Sequence, residues 1–332
     1  MKKEASTIRA IGRAVREFDL GILRAIESLI VRNAPHEIGV PFLAVCGAPR
    51  SGHTLTTQVI TQGVRVFFVD NLQYVFYRTP LIGYWLSRLV TRPYVSAFRS
   101  SRGFIRGLNA PQEGVLIWNY WCDMYEEERP PRPDLERLRE FGRRLNRIYA
   151  ADGRPYCATW VGHTFYFEAL SSLFKRHVIV RCRRDMLSTA LSIAKLTRNE
   201  QGQYAASWMG LRPRECQDPE LMTRLSPYEQ VARQVYFINR RLDEQSAGGR
   251  YAVFDSEYHD LCASPRNFVE RLIAFAAEHG IVLEARRDTR LPERFDATGA
   301  NRNDDEHTRR LAAAFDRLVD EHGPISVPVE AV

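Results

Sequence analysis

The sequence lacks the features by which several classes of protein are recognised. Its 332 residues contain no apolar run of about 18 residues, which excludes a helix that spans a membrane. None of the six cysteines forms a CxxC pair, and no group of His and Cys has the spacing of a zinc site. Internal repeats and low-complexity tracts are absent too. We therefore expect reduced, partly buried thiols in a reducing, cytoplasmic compartment and no structural metal.

The charge balance indicates what kind of partner the chain has. Net charge is +7 in a composition that is 45% hydrophobic, which is ordinary for a globular protein. A positive protein suits an anionic ligand, an acidic acceptor or a membrane surface. The arginines are dispersed and no nucleic-acid motif occurs, so we expect no nucleic-acid partner.

Residues 1–35 are predicted to form an amphipathic helical extension. They lack the uninterrupted apolar core of a signal peptide. The apolar residues that recur at helical spacing are Ile8, Ile11, Val15, Phe18, Ile22, Ile26 and Ile30. A helix packed on the domain is the favoured interpretation. The alternative is peripheral contact with the inner membrane, because Lys2, Lys3, Arg9, Arg13 and Arg16 would suit anionic lipid.

Apolar strands and helical patterns alternate along the rest of the chain. The predicted strands are 41–47, 64–70, 156–161, 177–182 and 250–255, and the main helices that follow them are 53–63, 165–175, 186–196 and 264–280. This alternation predicts an α/β fold, a parallel sheet flanked by helices on both faces. We expect one domain over 36–325, with helical insertions at about 71–150 and 197–247.

A strand, a glycine-bounded turn and a helix at 42–60 have the form of a phosphate loop. Gly47 and Gly52 are separated by four residues, as in G-x-x-x-x-G-K-[ST], but His53 stands where lysine belongs. The glycines allow main-chain N–H groups to converge on phosphate oxygens at a helix N-terminus. Arg50 supplies a fixed cation inside the turn. Without the lysine or a clear Walker-B aspartate, the pattern argues against ordinary ATP or GTP hydrolysis.

This turn resembles the phosphosulfate loop of the sulfotransferase superfamily, in particular of its bacterial-type members. The resemblance covers about residues 41–280 and implies a P-loop NTPase-like fold. It also implies 3′-phosphoadenosine 5′-phosphosulfate (PAPS) as the sulfuryl donor, with no metal required. The loop residues that would hold the donor's 5′ end are Gly47, Pro49, Arg50, Ser51, Gly52, His53 and Thr54.

Two later segments support the same resemblance. In HVIVRCRRDMLSTALSIAK (177–195), Arg184 and Ser192 keep the family's eight-residue offset and would bind the donor's 3′-phosphate. Arg183 competes with Arg184 for that contact, and Met186 and Ser188 depart from the family's turn. YHDLCASPRNFVERLIAF (258–275) is similar to an element behind the cofactor site and is interpreted as architecture.

Sulfuryl transfer needs charge stabilisation on the leaving oxygen and a base for the acceptor. Arg50 is the candidate for the first task. For the second the resemblance offers Asp70, near the place of a family glutamate, and His163, in the place of a family lysine. His53 is a third candidate, or a simple phosphate donor.

The acceptor is a hydroxyl or an amine whose identity the sequence leaves open: a carbohydrate, a lipid-linked molecule or a secondary metabolite. Aromatic residues concentrated at 72–98 and 115–127 could stack on it, although core packing is their more common fate. Two other functions stay open: a P-loop kinase for a small molecule, and a noncatalytic nucleotide-binding relative.

Overall fold

The computed structural model describes residues 21–101, 103–196, 210–288, 291–297 and 306–327. Residues 1–20 of the predicted extension and 197–209 of the second predicted insertion lie outside the described residues. None of the described helices is both long and apolar enough to cross a bilayer.

A parallel sheet of four strands forms the centre of the fold. The strands are β1 (Phe42–Gly47), β2 (Tyr156–Thr159), β3 (His177–Arg183) and β4 (Val253–Glu257), in the spatial order β2-β1-β3-β4. Each neighbouring pair is parallel. The predicted fold class, a parallel α/β sheet flanked by helices, is confirmed.

Thirteen α-helices in the described residues surround this sheet. They are α1 (Gly21–Val31), α2 (His53–Gly63), α3 (Asn71–Val75), α4 (Pro80–Val90), α5 (Val115–Cys122), α6 (Leu135–Asp152), α7 (Phe167–Leu173), α8 (Met186–Leu196), α9 (Pro219–Arg224), α10 (Pro227–Ser246), α11 (Tyr258–Ala263), α12 (Pro265–Glu278) and α13 (Glu306–His322). A 3₁₀ turn, Val161–Phe165, follows β2.

Two apolar cores lie on opposite faces of the sheet because successive strand residues point to opposite sides. Phe42 and Ala44 of β1 join one core with α5, α6 and α7. Leu43 and Val45 join the other with α2 and α12. All six residues of β1 are buried, as expected for a central parallel strand.

The predicted strand 64–70 is an extended segment with isolated bridges instead of a continuous strand. The N–H of Phe67 donates to the carbonyl oxygen of Pro155, just before β2, and its own carbonyl oxygen accepts from the N–H of Cys157 in β2. Val64 bridges to Ala285 and Asp70 to Pro111, so the segment changes partner at each end. A regular ladder therefore does not form, although the apolar residues of the segment are buried.

Candidate functional site

The turn between β1 and α2 holds its shape through two left-handed residues. Arg50 has φ 71° and Gly52 has φ 99°. A Cβ atom on Gly52 would lie 2.6 Å from Cδ2 of Tyr258, and one on Gly47 would lie 2.7 Å from the carbonyl oxygen of Cys182. The two glycines therefore permit a close approach of the turn to β3 and to Tyr258.

The turn presents hydrogen-bond donors that the described part of the chain leaves unused. The N–H groups of Gly52, His53 and Thr54 make no main-chain hydrogen bond with a described residue. The Ser51 hydroxyl is buried and has no hydrogen-bond partner among the described residues. Buried polar atoms are normally paired, so these donors fit a bound anion such as a phosphate. The ring of Pro49 lies near Gly210.

Three predicted cofactor residues, far apart in the sequence, meet beside this turn. Arg50 donates from Nε to the hydroxyl oxygen of Ser192 at 3.0 Å. Arg184 donates from Nη1 to the main-chain carbonyl oxygen of Arg50 at 2.9 Å, and its guanidinium lies 4.6 Å from the centre of the Tyr258 ring. Arg50, Arg184 and Ser192 thus form one continuous polar surface.

Two cations in this surface are held in an environment that disfavours their charge. Burial lowers the pKa of Arg50 and the pKa of Arg184, and Arg50 lowers the pKa of Arg184 further. Arg50 makes no ion pair with a described residue. An anionic ligand stabilises the charged form of a guanidinium that is partly buried in this way.

Arg183, the competitor of Arg184, is occupied elsewhere. Its Nε lies 2.8 Å from the carboxylate of Glu257, and its Nη1 lies 3.4 Å from that of Asp255. The turn after β3 is stabilised by Asp185, whose carboxylate accepts hydrogen bonds from the N–H groups of Leu187 and Ser188. This cap starts α8 although Met186 and Ser188 depart from the family pattern.

Asp70 is placed as a helix cap. Its carboxylate accepts a hydrogen bond from the N–H of Gln73 at 2.8 Å and another from the Ser87 hydroxyl. Its pKa is raised by burial, and only 2% of the residue is exposed. Both oxygens are engaged in the start of α3 and in α4, so this position does not support the predicted role of Asp70 as the base.

His163 lies in the aromatic core and not at the mouth of the turn. It is fully buried, with the rings of Trp118, Trp160 and Phe42 around it at 4.6, 5.4 and 6.0 Å. Burial lowers its pKa to about 3. An enclosed neutral ring does not reach an acceptor, which corrects the predicted placement of His163 beside the transferred group.

The aromatic cluster of 115–127 contributes mainly to the same core. Trp118 and Trp121 are buried against Phe141 of α6. Their rings are therefore unavailable as stacking platforms. Tyr120, on the same helix, stays half-buried beside Arg78.

A carboxylate that the sequence analysis did not single out stands beside the turn. Glu113 Oε1 lies 3.4 Å from Nε2 of His53. His53 stands at the position at which a nucleotide-hydrolysing loop carries lysine. Glu113 also lines a cavity of about 200 Å³, together with Thr54, Asn71 and Thr159. The hydroxyl of Thr159 is buried, and no residue in the described ranges hydrogen-bonds to it. Glu113 follows a Pro-Gln pair in an irregular segment, so only its proximity in the folded chain reveals it.

A second carboxylate lies close to the first. The pKa of Glu126 is raised by burial and next by repulsion from Glu113, while the indole of Trp160 lowers it. Two carboxylates thus lie near the turn. Among the described residues, no group of three or more His, Cys, Asp and Glu is arranged to hold a metal ion.

Comparison with known proteins finds similarity only among solved structures. No family model and no curated protein matches the chain. Sulfotransferase STF9 from Mycobacterium avium is similar over 89% of this chain and 70% of its own, at 16% identity and a TM-score of 0.45. Sulfotransferase STF1 from Mycobacterium tuberculosis H37Rv is similar over 86% of this chain and 76% of its own, at 13% identity and a TM-score of 0.46. Both are sulfotransferases, the family that the sequence motifs resemble.

Proposed function

We propose that this protein is a sulfotransferase that moves a sulfuryl group from PAPS to a hydroxyl or amine acceptor. The observation that carries the proposal is the contact of Arg184 with the loop carbonyl of Arg50. It brings the predicted 3′-phosphate residue next to the predicted 5′-phosphate loop. A nucleotide with phosphates on both its 3′ and 5′ oxygens matches two cationic groups placed so closely.

The residues divide between the two ends of this donor. The N–H groups of Gly52, His53 and Thr54 and the Ser51 hydroxyl would hold the 5′-phosphate side. Arg184 and Ser192 would hold the 3′-phosphate, with Arg50 between the two. Charge-assisted hydrogen bonds to an ionised phosphate contribute roughly 1.5–3 kcal/mol each. The donor supplies an activated sulfuryl group with adenosine 3′,5′-bisphosphate as its leaving group.

Arg50 is assigned to the leaving oxygen. Its guanidinium is fixed by the Ser192 hydroxyl and is without an ion pair to a described residue, so it is available to the negative charge that grows as the sulfur–oxygen bond breaks. A preorganised cation in a partly buried site stabilises such charge without having to reorganise.

Glu113 is assigned as the base in place of Asp70 and His163. It stands beside His53 at the start of α2 and faces a cavity that the acceptor can enter. The acceptor hydroxyl or amine would lose its proton to the Glu113 carboxylate while its oxygen or nitrogen bonds to sulfur. His53 would position that carboxylate.

Ligand protection against thermal unfolding tests the donor. Adenosine 3′,5′-bisphosphate should raise the melting temperature of the full chain, whereas ATP with Mg²⁺ should not. A melting temperature raised by ATP with Mg²⁺ and not by the bisphosphate would favour a kinase, the main alternative.

Turnover is tested separately, with radiolabelled PAPS and a panel of phenols, sugars, lipids and amines. A labelled acceptor product supports transfer. Protection by the bisphosphate with no product from any acceptor class would favour a noncatalytic relative.

A further inference from the structure

Helix α1 packs with its charged side inward. Glu27 is fully buried and accepts hydrogen bonds from Nε of Arg144 and from the N–H of Ile82, both at 2.7 Å. On its outer side Ile22, Ile26 and Leu29 are exposed, Ile22 by 76%. A surface helix normally buries its apolar stripe and exposes its charges. The helix buries Glu27 and Val31, and it leaves the stripe of Ile22, Ile26 and Leu29 exposed.

Helix α4 lies next to α1 and exposes apolar residues too. Trp85, Leu89 and Val90 are exposed, Leu89 by 83%. Trp85 and Leu89 are four residues apart and so lie on one side of the helix. Val95, just beyond the helix, is also exposed. We call the exposed residues of the two helices, with Val95, the apolar face. Apolar surface of this kind marks an interaction site.

A cationic cavity adjoins the end of α4. It has a volume of about 740 Å³, and we call it the arginine cavity. Its arginines are Arg65, Arg88, Arg92, Arg154, Arg286 and Arg287. The acidic residues in its lining are Glu284 and Asp288, which pair with Arg65 and Arg286 at 2.9 Å.

The acids do not balance the arginines of this cavity. Arg154 and Arg88 share a single carboxylate outside the lining, that of Asp152. Arg92 and Arg287 form no ion pair with any residue in the described ranges. The arginine cavity therefore keeps a net positive charge and suits phosphate groups.

The α4 residues of the apolar face adjoin the arginine cavity. Arg88 and Arg92 line the cavity and bracket Leu89 and Val90 in the chain. Apolar side chains, a tryptophan and adjacent arginines are the combination that binds the interface of an anionic bilayer. An apolar protein partner would leave the arginines uncompensated, and a nucleic acid would leave the apolar face in water.

We propose that the apolar face and the arginine cavity dock this protein on an anionic phospholipid bilayer. The apolar side chains enter the headgroup region and the arginines bind lipid phosphates. The surface is separate from the candidate site: Thr61 lines the cavity and lies eight residues along α2 from His53, about 12 Å. Docking therefore does not depend on the proposed sulfuryl transfer.

Vesicle sedimentation with the full chain tests the proposal. The vesicles are phosphatidylcholine alone, or phosphatidylcholine with one third phosphatidylglycerol. We expect binding to the anionic vesicles only, weakened by salt. The double variants Trp85→Ser/Leu89→Ser and Arg92→Glu/Arg287→Glu should each lower the partition coefficient by roughly tenfold or more. Leu135→Ser and Arg224→Glu, at exposed positions on other helices, should leave it unchanged.

Melting temperature and far-UV circular dichroism are measured for every variant, so that loss of folding is separated from loss of docking. All binding is measured without nucleotide. Equal binding to neutral and anionic vesicles, or no binding to either, would overturn the proposal. So would a dimer in sedimentation velocity that the Trp85→Ser/Leu89→Ser variant dissociates, since the face would then join two copies of the chain.

Discussion

Arg184 Nη1 lies 2.9 Å from the main-chain carbonyl oxygen of Arg50, a residue 134 positions earlier in the sequence. The contact ties the end of β3 to the turn that follows β1. These strands are hydrogen-bonded neighbours, with Gly47 in register with Cys182. Two motifs that are separate along the chain therefore meet at the carboxyl edge of the sheet, where parallel α/β folds bind ligands.

Replacing Glu113 tests the assignment of the base. Glu113→Gln keeps the size of the side chain and removes its ability to accept a proton. We expect kcat with any acceptor found in the panel to fall by roughly 10²–10⁴-fold, with donor affinity unchanged. Steady-state kinetics and calorimetric titration of adenosine 3′,5′-bisphosphate measure the two quantities.

Asp70→Asn is the matched control for that experiment. It should reduce stability by about 1 kcal/mol, because the amide still caps α3 but its nitrogen cannot accept the hydrogen bond from the Ser87 hydroxyl. The folded fraction should keep its activity. Loss of turnover in Asp70→Asn with normal kinetics in Glu113→Gln would return the base to Asp70.

His163 makes stability depend on pH in a predictable direction. Its pKa is about 3 in the folded protein and 6.5 in the unfolded chain, so the unfolded chain binds more protons between these values. The stabilisation from the neutral buried ring is complete above pH 6.5 and is lost as the pH falls toward 3, by at most about 1.4 kcal/mol per pH unit.

His163→Phe removes this titration and keeps a ring in the aromatic core. Denaturant unfolding across the acid range should show a shallower pH dependence for the variant than for the wild type. The variant should also retain turnover, because the ring does not reach the loop. A variant that folds normally but is inactive would restore a catalytic role to His163.

The glycine at position 52 is required by the ring of Tyr258. Gly52→Ala would place Cβ 2.6 Å from that ring at a φ of 99°, and would displace Tyr258 from Arg184. We expect the free energy of unfolding to fall by at least about 2 kcal/mol. Affinity for the bisphosphate should fall as well.

Gly153→Ala is the control for backbone strain alone. Gly153 has a φ of 74° but no atom within 4 Å of its Cβ position. The change should cost only about 1 kcal/mol and leave nucleotide affinity as it is. Equal losses in the two variants would mean that Tyr258 does not limit the space at Gly52.

The sequence pattern predicted helices, which depend on interactions between residues close together in the chain. Residues 53–63 and 186–196 were predicted as helices and are α2 and α8. Residues 64–70 have the apolar character of a strand. Their pairing depends on where β2, Ala285 and Pro111 lie, which no local pattern specifies.

In the candidate site, residues that belong to sequence motifs were predicted, whereas a residue brought in only by the folding of the chain was missed. Arg50, Arg184 and Ser192 belong to spaced motifs and come together in the structure as the resemblance implied. Glu113 carries no motif and reaches the loop only through the fold of the 103–113 segment. His163 was placed by its position after a strand, but the 3₁₀ turn Val161–Phe165 directs its ring into the core.

The central claim is that the loop and Arg184 bind opposite ends of one bisphosphorylated adenosine. Calorimetric titration of adenosine 3′,5′-bisphosphate and adenosine 5′-phosphate, which differ only in the 3′-phosphate, tests it in the wild type, Arg184→Ala and Arg183→Ala. The account predicts roughly tenfold or greater preference for the bisphosphate in the wild type and in Arg183→Ala, and loss of that preference in Arg184→Ala. A preference that survives in Arg184→Ala, or none in the wild type, would contradict it.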